Sequence, residues 1–155
     1  MVEALIIVFV LVNFILLPCV VDGSSMVATL NDGDFGYSFI VTRNLKISRF
    51  DIAVIRTDSE NKKLLVKRVI GLPGDTIEYR DNMLYVNGEY LEEPYLKDVS
   101  TGDFKVTLKE DEYYCLGDNR NVSRDSRYYG AFSQEQIVST HLLVLYPFKD
   151  FGYKS

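Results

Sequence analysis

The sequence is poor in the side chains that most often build metal and redox centres. It has one histidine, His141, two cysteines, Cys19 and Cys115, and no tryptophan. The two cysteines lie in segments of different character and show no zinc-type spacing, so we expect two free thiols and no metal site. His141 lies in a late apolar segment, where a hydrogen-bonded core histidine is the expected role. A Ser-His-Asp triad is therefore disfavoured.

Clusters of basic residues and low-complexity tracts are also missing. The 17 lysines and arginines are scattered among 22 acidic residues, and the net charge is −5. A nucleic-acid-binding surface is therefore not expected. The chain has only four prolines, and 47% of its 155 residues are apolar, which argues for one folded domain plus an appendage rather than long disorder.

One long apolar run stands at the start of the chain. It covers the 18 residues from Ala4 to Val21 and is interrupted only by Asn13 and Pro18. As a helix it would reach about 27 Å at 1.5 Å per residue, just enough to span a bilayer core. A cleavable signal peptide is the alternative, disfavoured because Glu3 replaces the usual basic residues. We therefore expect residues 1–21 to form a single-pass membrane anchor in the lipid bilayer.

From residue 22 to residue 155 the pattern predicts a mainly β domain. Short runs rich in β-branched and aromatic residues alternate with turn residues. Hairpin turns are expected at Asp81-Asn82 and at Asn87-Gly88. The only helical signal is one turn at "SQEQIVS". Residues 81–112 are more polar and turn-rich than their flanks, which predicts a small, cap-like insertion into an antiparallel β-sheet domain.

Two segments suggest how a serine becomes reactive. The first is "GSSMVATL", residues 23–30, and the second is "LLVKRVIGLPGD", residues 64–75. Strand alternation places Lys67 and Arg68 on opposite faces, so one of them faces inward. A buried lysine has a lowered pKa, and its neutral amine can take a proton from a serine hydroxyl. The alternative is an ordinary surface lysine beside a solvated linker.

A third segment, "GDNRNVSRDSRYYG", residues 117–130, is dense in groups that can support such a site. Charge pairs among its acidic and basic residues would hold a loop in place, and a serine hydroxyl, Ser123 or Ser126, would hydrogen-bond to the lysine. A polar surface turn is the other reading. The residues available for the charge pairs are Asp118, Arg120, Asp125 and Arg127.

In this order, the three segments resemble the motifs of type I signal peptidases, the membrane-bound serine proteases that remove signal peptides. "GSSMVATL" is similar to G-x-S-M-x-P-T-L, "VKRVIGLPGD" to K-R-x-x-G-x-P-G-D, and the third to G-D-N-R-x-x-S-x-D-S-R. The chain departs from the first motif at Ala28, where the family usually has proline. Gly23 stands where some relatives carry a serine that assists the oxyanion.

The resemblance implies a role for each matching residue. Ser25 maps to the nucleophile and Lys67 to its general base, as a Ser-Lys dyad. Ser123 maps to the serine that orients the lysine, and Asp125 and Arg127 map to an ion pair that holds the site. Met26 and Leu30 match positions near the substrate pocket, although both are equally suited to a plain core role.

The resemblance also implies a function and a location, and it implies no metal or nucleotide cofactor. The substrates would be preproteins carrying signal peptides, cut after small residues of the Ala-x-Ala type through an acyl-enzyme. The catalytic domain would lie on the extracytoplasmic face of the cell membrane, and its small size is like that of Gram-positive forms. Two alternatives stay open: a self-cleaving Ser-Lys repressor-type peptidase, and a catalytically weak or inactive anchored homologue that serves as an assembly factor or chaperone, for example in pilus biogenesis.

Overall fold

The computed structural model describes residues 2, 3, 5, 9, 15–40, 46–58, 63–96 and 100–154. Short β-strands dominate these residues, as the alternating pattern predicts. One short helix, α1, covers Ser126–Tyr129, and 3₁₀ turns cover Gln134–Gln136 and Phe148–Asp150. The strands are Leu16–Val20 (β1), Phe35–Phe39 (β2), Ile52–Arg56 (β3), Leu64–Gly71 (β4), Thr76–Arg80 (β5), Met83–Val86 (β6), Glu89–Leu91 (β7), Phe104–Thr107 (β8), Glu112–Leu116 (β9), Phe132–Ser133 (β10), Ile137–Tyr146 (β11) and Gly152–Lys154 (β12).

The main sheet has the strand order β1-β2-β11-β3-β4-β9-β10, and β12 also pairs with β11. All recorded pairs are antiparallel. A register shift between Thr140 and Leu142 divides β11, so that its first half pairs with β3 and its second half with β12. His141 lies at this shift with a φ of 67°. The long β11 therefore pairs with three strands, β2, β3 and β12.

The second sheet has the order β7-β6-β5-β8 and corresponds to the predicted insertion. Its hairpin turns are confirmed, since Asp81, Asn82 and Asn87 all have positive φ values in turns between paired strands. The sheet runs from Thr76 to Thr107 and so begins and ends five residues before the predicted limits. Strand β5 alternates in the same way as the strands of the main sheet. The sequence pattern therefore did not show that β5 belongs to the second sheet.

The start of the chain differs from the predicted helix. Val2, Glu3, Leu5 and Phe9 are helical, and most of the remaining apolar run lies outside the described residues. The helical prediction is wrong for Leu16–Val20, which form strand β1 and pair with all five residues of β2. Within the described residues, no helix has the length and apolar character needed to cross a membrane.

Three clusters of buried side chains fill the domain. One lies under the main sheet, one joins the two sheets, and the third packs the loop after β1 onto β3 and β11. This third cluster fixes the backbone around Ser25, because burying each large aliphatic side chain contributes roughly 1.5–3 kcal/mol. Its members are Val21, Met26, Leu30, Ile52, Leu142 and Val144.

Candidate active site

Ser25 lies in a loop that is closed at its base by backbone hydrogen bonds. Val21 donates to the Asp34 carbonyl at 2.8 Å, and Gly33 donates back to the Val21 carbonyl at 2.9 Å. Within the loop, the Gly23 N–H donates to Asp32 Oδ1 at 2.7 Å. We call residues 21–34 the Ser25 loop. Its paired base and its buried Met26 and Leu30 hold the serine in a defined position.

Strand β4 brings Lys67 to this serine. The Lys67 side chain is 3% exposed, and its Nζ lies 2.7 Å from Ser25 Oγ and 2.8 Å from the Val66 carbonyl oxygen. Burial lowers the pKa of Lys67 from 10.5 to about 8, although the carboxylates of Asp125 and Asp118 act in the opposite direction. A neutral amine within hydrogen-bonding distance of a hydroxyl is available near neutral pH.

Arg68, next to Lys67, faces the other side of β4 and is also buried. Its Nε and Nη2 donate to the two Asp118 oxygens at 3.0 and 2.9 Å. Thr29, from the Ser25 loop, donates to the same carboxylate at 2.6 Å. Lys67 and Arg68 therefore lie on opposite faces of β4, as predicted. The prediction that only one of them is buried is wrong, since both are. The support that Arg68 gives to the Ser25 loop was missed, because Asp118 was expected to pair within its own segment.

The segment from Gly117 to Arg127 lies directly behind Ser25. Its predicted internal ion pair is present, since Arg127 donates to Asp125 from Nε and Nη2 at 2.9 Å each. Burial raises the pKa of Asp125, but the hydrogen bonds from Arg127 and from the Gly117 N–H outweigh it, and the pKa is below its usual value. Arg120 pairs outside the segment, with Glu93 of the second sheet.

Ser123 lies close to the site but makes no recorded bond to the lysine. Its Oγ is buried and forms no hydrogen bond of ordinary geometry among the described residues, although the hydroxyl lies close enough to Asp125 to help lower the pKa of that carboxyl. It packs on Gly117, where an added Cβ would lie 2.2 Å from Ser123 Oγ and 2.5 Å from the Ser25 carbonyl oxygen. The orientation of Lys67 by Ser123 thus stays a prediction. Ser126, the other candidate, accepts a hydrogen bond from the Cys115 N–H at 2.9 Å.

A groove of about 310 Å³ opens beside the Ser25 hydroxyl, between β1 and β4. Apolar side chains form most of its floor, which suits small apolar groups. Met26 contributes to this lining, whereas Leu30 is 0% exposed and is not among the lining residues. The groove is lined by Pro18, Cys19, Val20, Val21, Asp22, Ser25, Met26, Val54, Lys63, Leu64, Leu65, Val66 and Lys67.

The partners of His141 lie outside the Ser25 loop. Its Nε2 lies 3.5 Å from Asp51, its Nδ1 lies 3.0 Å from Thr140 Oγ1, and its ring stacks on Tyr153. The prediction of a hydrogen-bonded histidine is confirmed, but its side chain is half-buried rather than in the core. The two cysteines are free, as expected, and burial raises the pKa of both thiols.

Ala28 has a φ of 109°, a conformation that proline cannot adopt and that strains any residue with a Cβ. We expect Ala28→Gly to raise the free energy of unfolding by about 1 kcal/mol and Ala28→Pro to lower it by about 3 kcal/mol. Urea unfolding of the three proteins tests both signs. Equal stability of the proline variant would contradict this backbone conformation.

An antiparallel β domain with a serine hydroxyl against a buried lysine amine defines a hydrolase of the serine–lysine type. The family model described as "Signal peptidase, peptidase S26" matches residues 1–146. The chain belongs to this signal peptidase family, and its members are serine endopeptidases of the signal peptidase I type.

Individual relatives agree with this membership. Signal peptidase I S of Bacillus subtilis (strain 168) is 37% identical over 161 residues, covering 95% of this chain and 86% of the relative. Signal peptidase I U of the same organism is 40% identical over 146 residues, covering 84% and 76%. The crystal structure of a signal peptidase I from Enterococcus faecalis V583 is 41% identical, covers 61% of this chain and 96% of its own, and has a TM-score of 0.57.

Proposed function

We propose that this signal peptidase cuts preproteins through Ser25 as nucleophile and Lys67 as general base. The observation that carries the proposal is the 2.7 Å contact between Lys67 Nζ and Ser25 Oγ in a buried setting. The neutral amine takes the hydroxyl proton as Oγ attacks the scissile carbonyl. The protonated amine then gives its proton to the leaving amine, and an acyl-enzyme remains. Lys67 next removes a proton from water, which hydrolyses the acyl-enzyme and frees Ser25.

The surrounding residues supply position and charge. The Ser25 backbone N–H is proposed as one oxyanion donor. Asp125 and Arg127 hold the segment behind the serine by their ion pair, and Asp125 stabilises the lysine in its protonated state. Ser123 is proposed to orient the lysine, since its buried hydroxyl lies beside the Asp125 carboxylate and packs against Gly117, next to the Ser25 carbonyl oxygen.

The groove supports a preference for small residues before the cut. Its lining beside Ser25 combines Met26 with aliphatic residues of β3 and β4, and its volume of about 310 Å³ suits a short extended segment. We therefore propose Met26 as a substrate contact and Ala-x-Ala-type signal peptides as substrates. Leu30 acts from the core by packing against the loop that carries Ser25.

Residues before β1 are proposed to anchor the domain at a bilayer, with the catalytic domain on the extracytoplasmic side. The support is the apolar sequence from Ala4 to Ile15 and the exposed Val2, Leu5 and Phe9. Since β1 begins at Leu16 and lines the groove, a substrate whose apolar segment is still in the membrane would present its cut site beside Ser25.

The proposal is tested by incubating the purified protein with a preprotein bearing an Ala-x-Ala site in lipid vesicles. We expect one cut directly after the second alanine, identified by mass spectrometry. Because Lys67 must be neutral, we expect the rate to rise with pH to a plateau, with an apparent pKa near 8.

A preprotein with tyrosine in place of the alanine before the cut serves as the matched control and should stay intact. A rate independent of pH between 6 and 9 would argue against Lys67 as the base. Complete absence of cleavage would favour the non-catalytic assembly factor instead.

A further inference from the structure

Glu93, just after β7 in the second sheet, is buried against the segment behind Ser25. The Arg120 guanidinium donates to its Oε1 at 2.6 Å, and the Arg120 and Glu93 side chains are 0% and 5% exposed. The hydroxyl of Tyr95 also donates to Oε1, at 2.6 Å, and the hydroxyl of Tyr79 donates to Oε2. One carboxylate thus accepts hydrogen bonds from three side chains and neutralises a fully buried arginine.

Arg120 passes this restraint to the turn that contacts Ser25. Its Nε donates to the Gly117 carbonyl at 3.0 Å, which closes the turn from Gly117 to Arg120. Inside this turn, the Asn119 N–H donates to the Ser25 carbonyl at 2.9 Å. Glu93 is therefore linked to the backbone of Ser25 by three consecutive polar contacts.

Tyr95 provides a second link from the same short segment. Its ring lies 4.1 Å from the Arg68 guanidinium carbon, and Arg68 holds Asp118 in a bidentate pair. Asp118 lies in the same turn as Asn119. Glu93 thus contacts Arg120, and Tyr95 contacts Arg68, and each of these arginines holds one part of this turn.

We propose that Glu93 is a positioning residue for the cleavage reaction, acting through Arg120 and the Gly117–Arg120 turn on the placement of Ser25 against Lys67. The inference rests on the proposed function of Ser25. Displacing a reacting group by about 1 Å can cost on the order of 100-fold in rate, so a restraint on the serine backbone affects turnover more than binding.

Glu93→Gln tests this role, because it keeps the side-chain shape and removes the charge that holds Arg120. We expect kcat to fall about 10- to 100-fold while KM changes less than about twofold. We also expect faster hydrogen exchange at the Asn119 amide in the NMR spectrum. Glu93→Asp, which restores the charge, should recover part of kcat.

Asp75→Asn is the matched control. Asp75 is also buried near the junction of the sheets and pairs with Arg49 at 2.9 Å, and its recorded partners lie outside the Gly117–Arg127 segment. Asp75→Asn should lower the melting temperature about as much as Glu93→Gln does. It should leave kcat and the hydrogen-exchange rate of the Asn119 amide close to those of the parent.

Two results would overturn the positioning role while the parent still cleaves in a Ser25-dependent manner. One is an unchanged kcat in Glu93→Gln. The other is a parallel loss of kcat and melting temperature in Glu93→Gln and Asp75→Asn, with no selective change at Asn119. If the parent itself fails to cleave, the proposed function fails, and the exchange rate at Asn119 still reports whether Glu93 restrains the turn.

Discussion

Replacing Lys67 by methionine is expected to abolish cleavage and to raise the free energy of unfolding by about 1–3 kcal/mol at pH 7. Activity is lost because methionine cannot accept a proton. Stability rises because the variant no longer buries an ammonium group, which burial disfavours strongly enough to lower the lysine pKa to about 8. The attraction of Asp125 and Asp118 for the ammonium group is already contained in this lowered pKa and limits the gain.

The gain should depend on pH in a definite direction. The lysine pKa is 10.5 in the unfolded chain and about 8 in the folded protein. Below pH 8 both states are charged, and the folded state carries the full net cost of the charged lysine, about 3 kcal/mol with the attraction of the carboxylates included. Between pH 8 and 10.5 the unfolded state binds more protons, so the stability of the parent rises with pH relative to the variant. The stability advantage of Lys67→Met over the parent should therefore shrink between pH 8 and pH 10.5 and vanish above pH 10.5.

Urea unfolding of both proteins at pH 7 and at pH 10 measures this difference. Lys105→Met is the control, because Lys105 has a 64% exposed side chain and its ion pair with Glu78 is on the surface. Its stability should change by less than about 1 kcal/mol at either pH. A Lys67→Met protein that is less stable than the parent at pH 7 would contradict a destabilising burial of the lysine.

Ser25→Ala is expected to lower the cleavage rate by about 10⁴-fold or more, because no other hydroxyl is bonded to Lys67 among the described residues. The change removes one hydrogen bond from a half-buried side chain, so the free energy of unfolding should change by no more than about 1 kcal/mol. Rates with saturating preprotein, together with urea unfolding of the same samples, separate lost chemistry from lost folding.

The neighbouring serine supplies a closely matched control. Ser24 is exposed, and Ser24→Ala should keep the cleavage rate within about twofold and the stability unchanged. The reverse pattern, an active Ser25→Ala and an inactive Ser24→Ala, would move the nucleophile by one residue and would disconnect it from Lys67.

Local turn chemistry and alternation carried most of the fold prediction. Asp81-Asn82 and Asn87-Gly88 tolerate positive φ, and both form turns between paired strands. Strand β1 was missed because Leu16–Val20 continue an apolar run, and a short apolar segment reads equally well as buried strand or helix. Only pairing with β2, about 20 residues later, decides between them.

The proximity of Ser25 and Lys67 was predicted only through the resemblance of ordered motifs, since a strand pattern places Lys67 on a face but names no partner. The support network shows the same limit. Asp118 and Arg120 were expected to pair locally, whereas their partners are Arg68 and Glu93, which lie far away in the sequence. Such ion pairs depend on how distant strands are aligned with one another in the sheets, and the sequence of each segment alone does not give that alignment.

Strand β1 also has a mechanical consequence for the bilayer attachment proposed above. A pull on the residues before Leu16 would act along five backbone pairs with β2, which resist in shear, before it reached the Ser25 loop. From Leu16 onward, the path from that pull to the serine therefore runs through a paired strand. Because Pro18, Cys19 and Val20 of the same strand line the groove, a displacement of β1 would move the groove wall together with the start of the Ser25 loop.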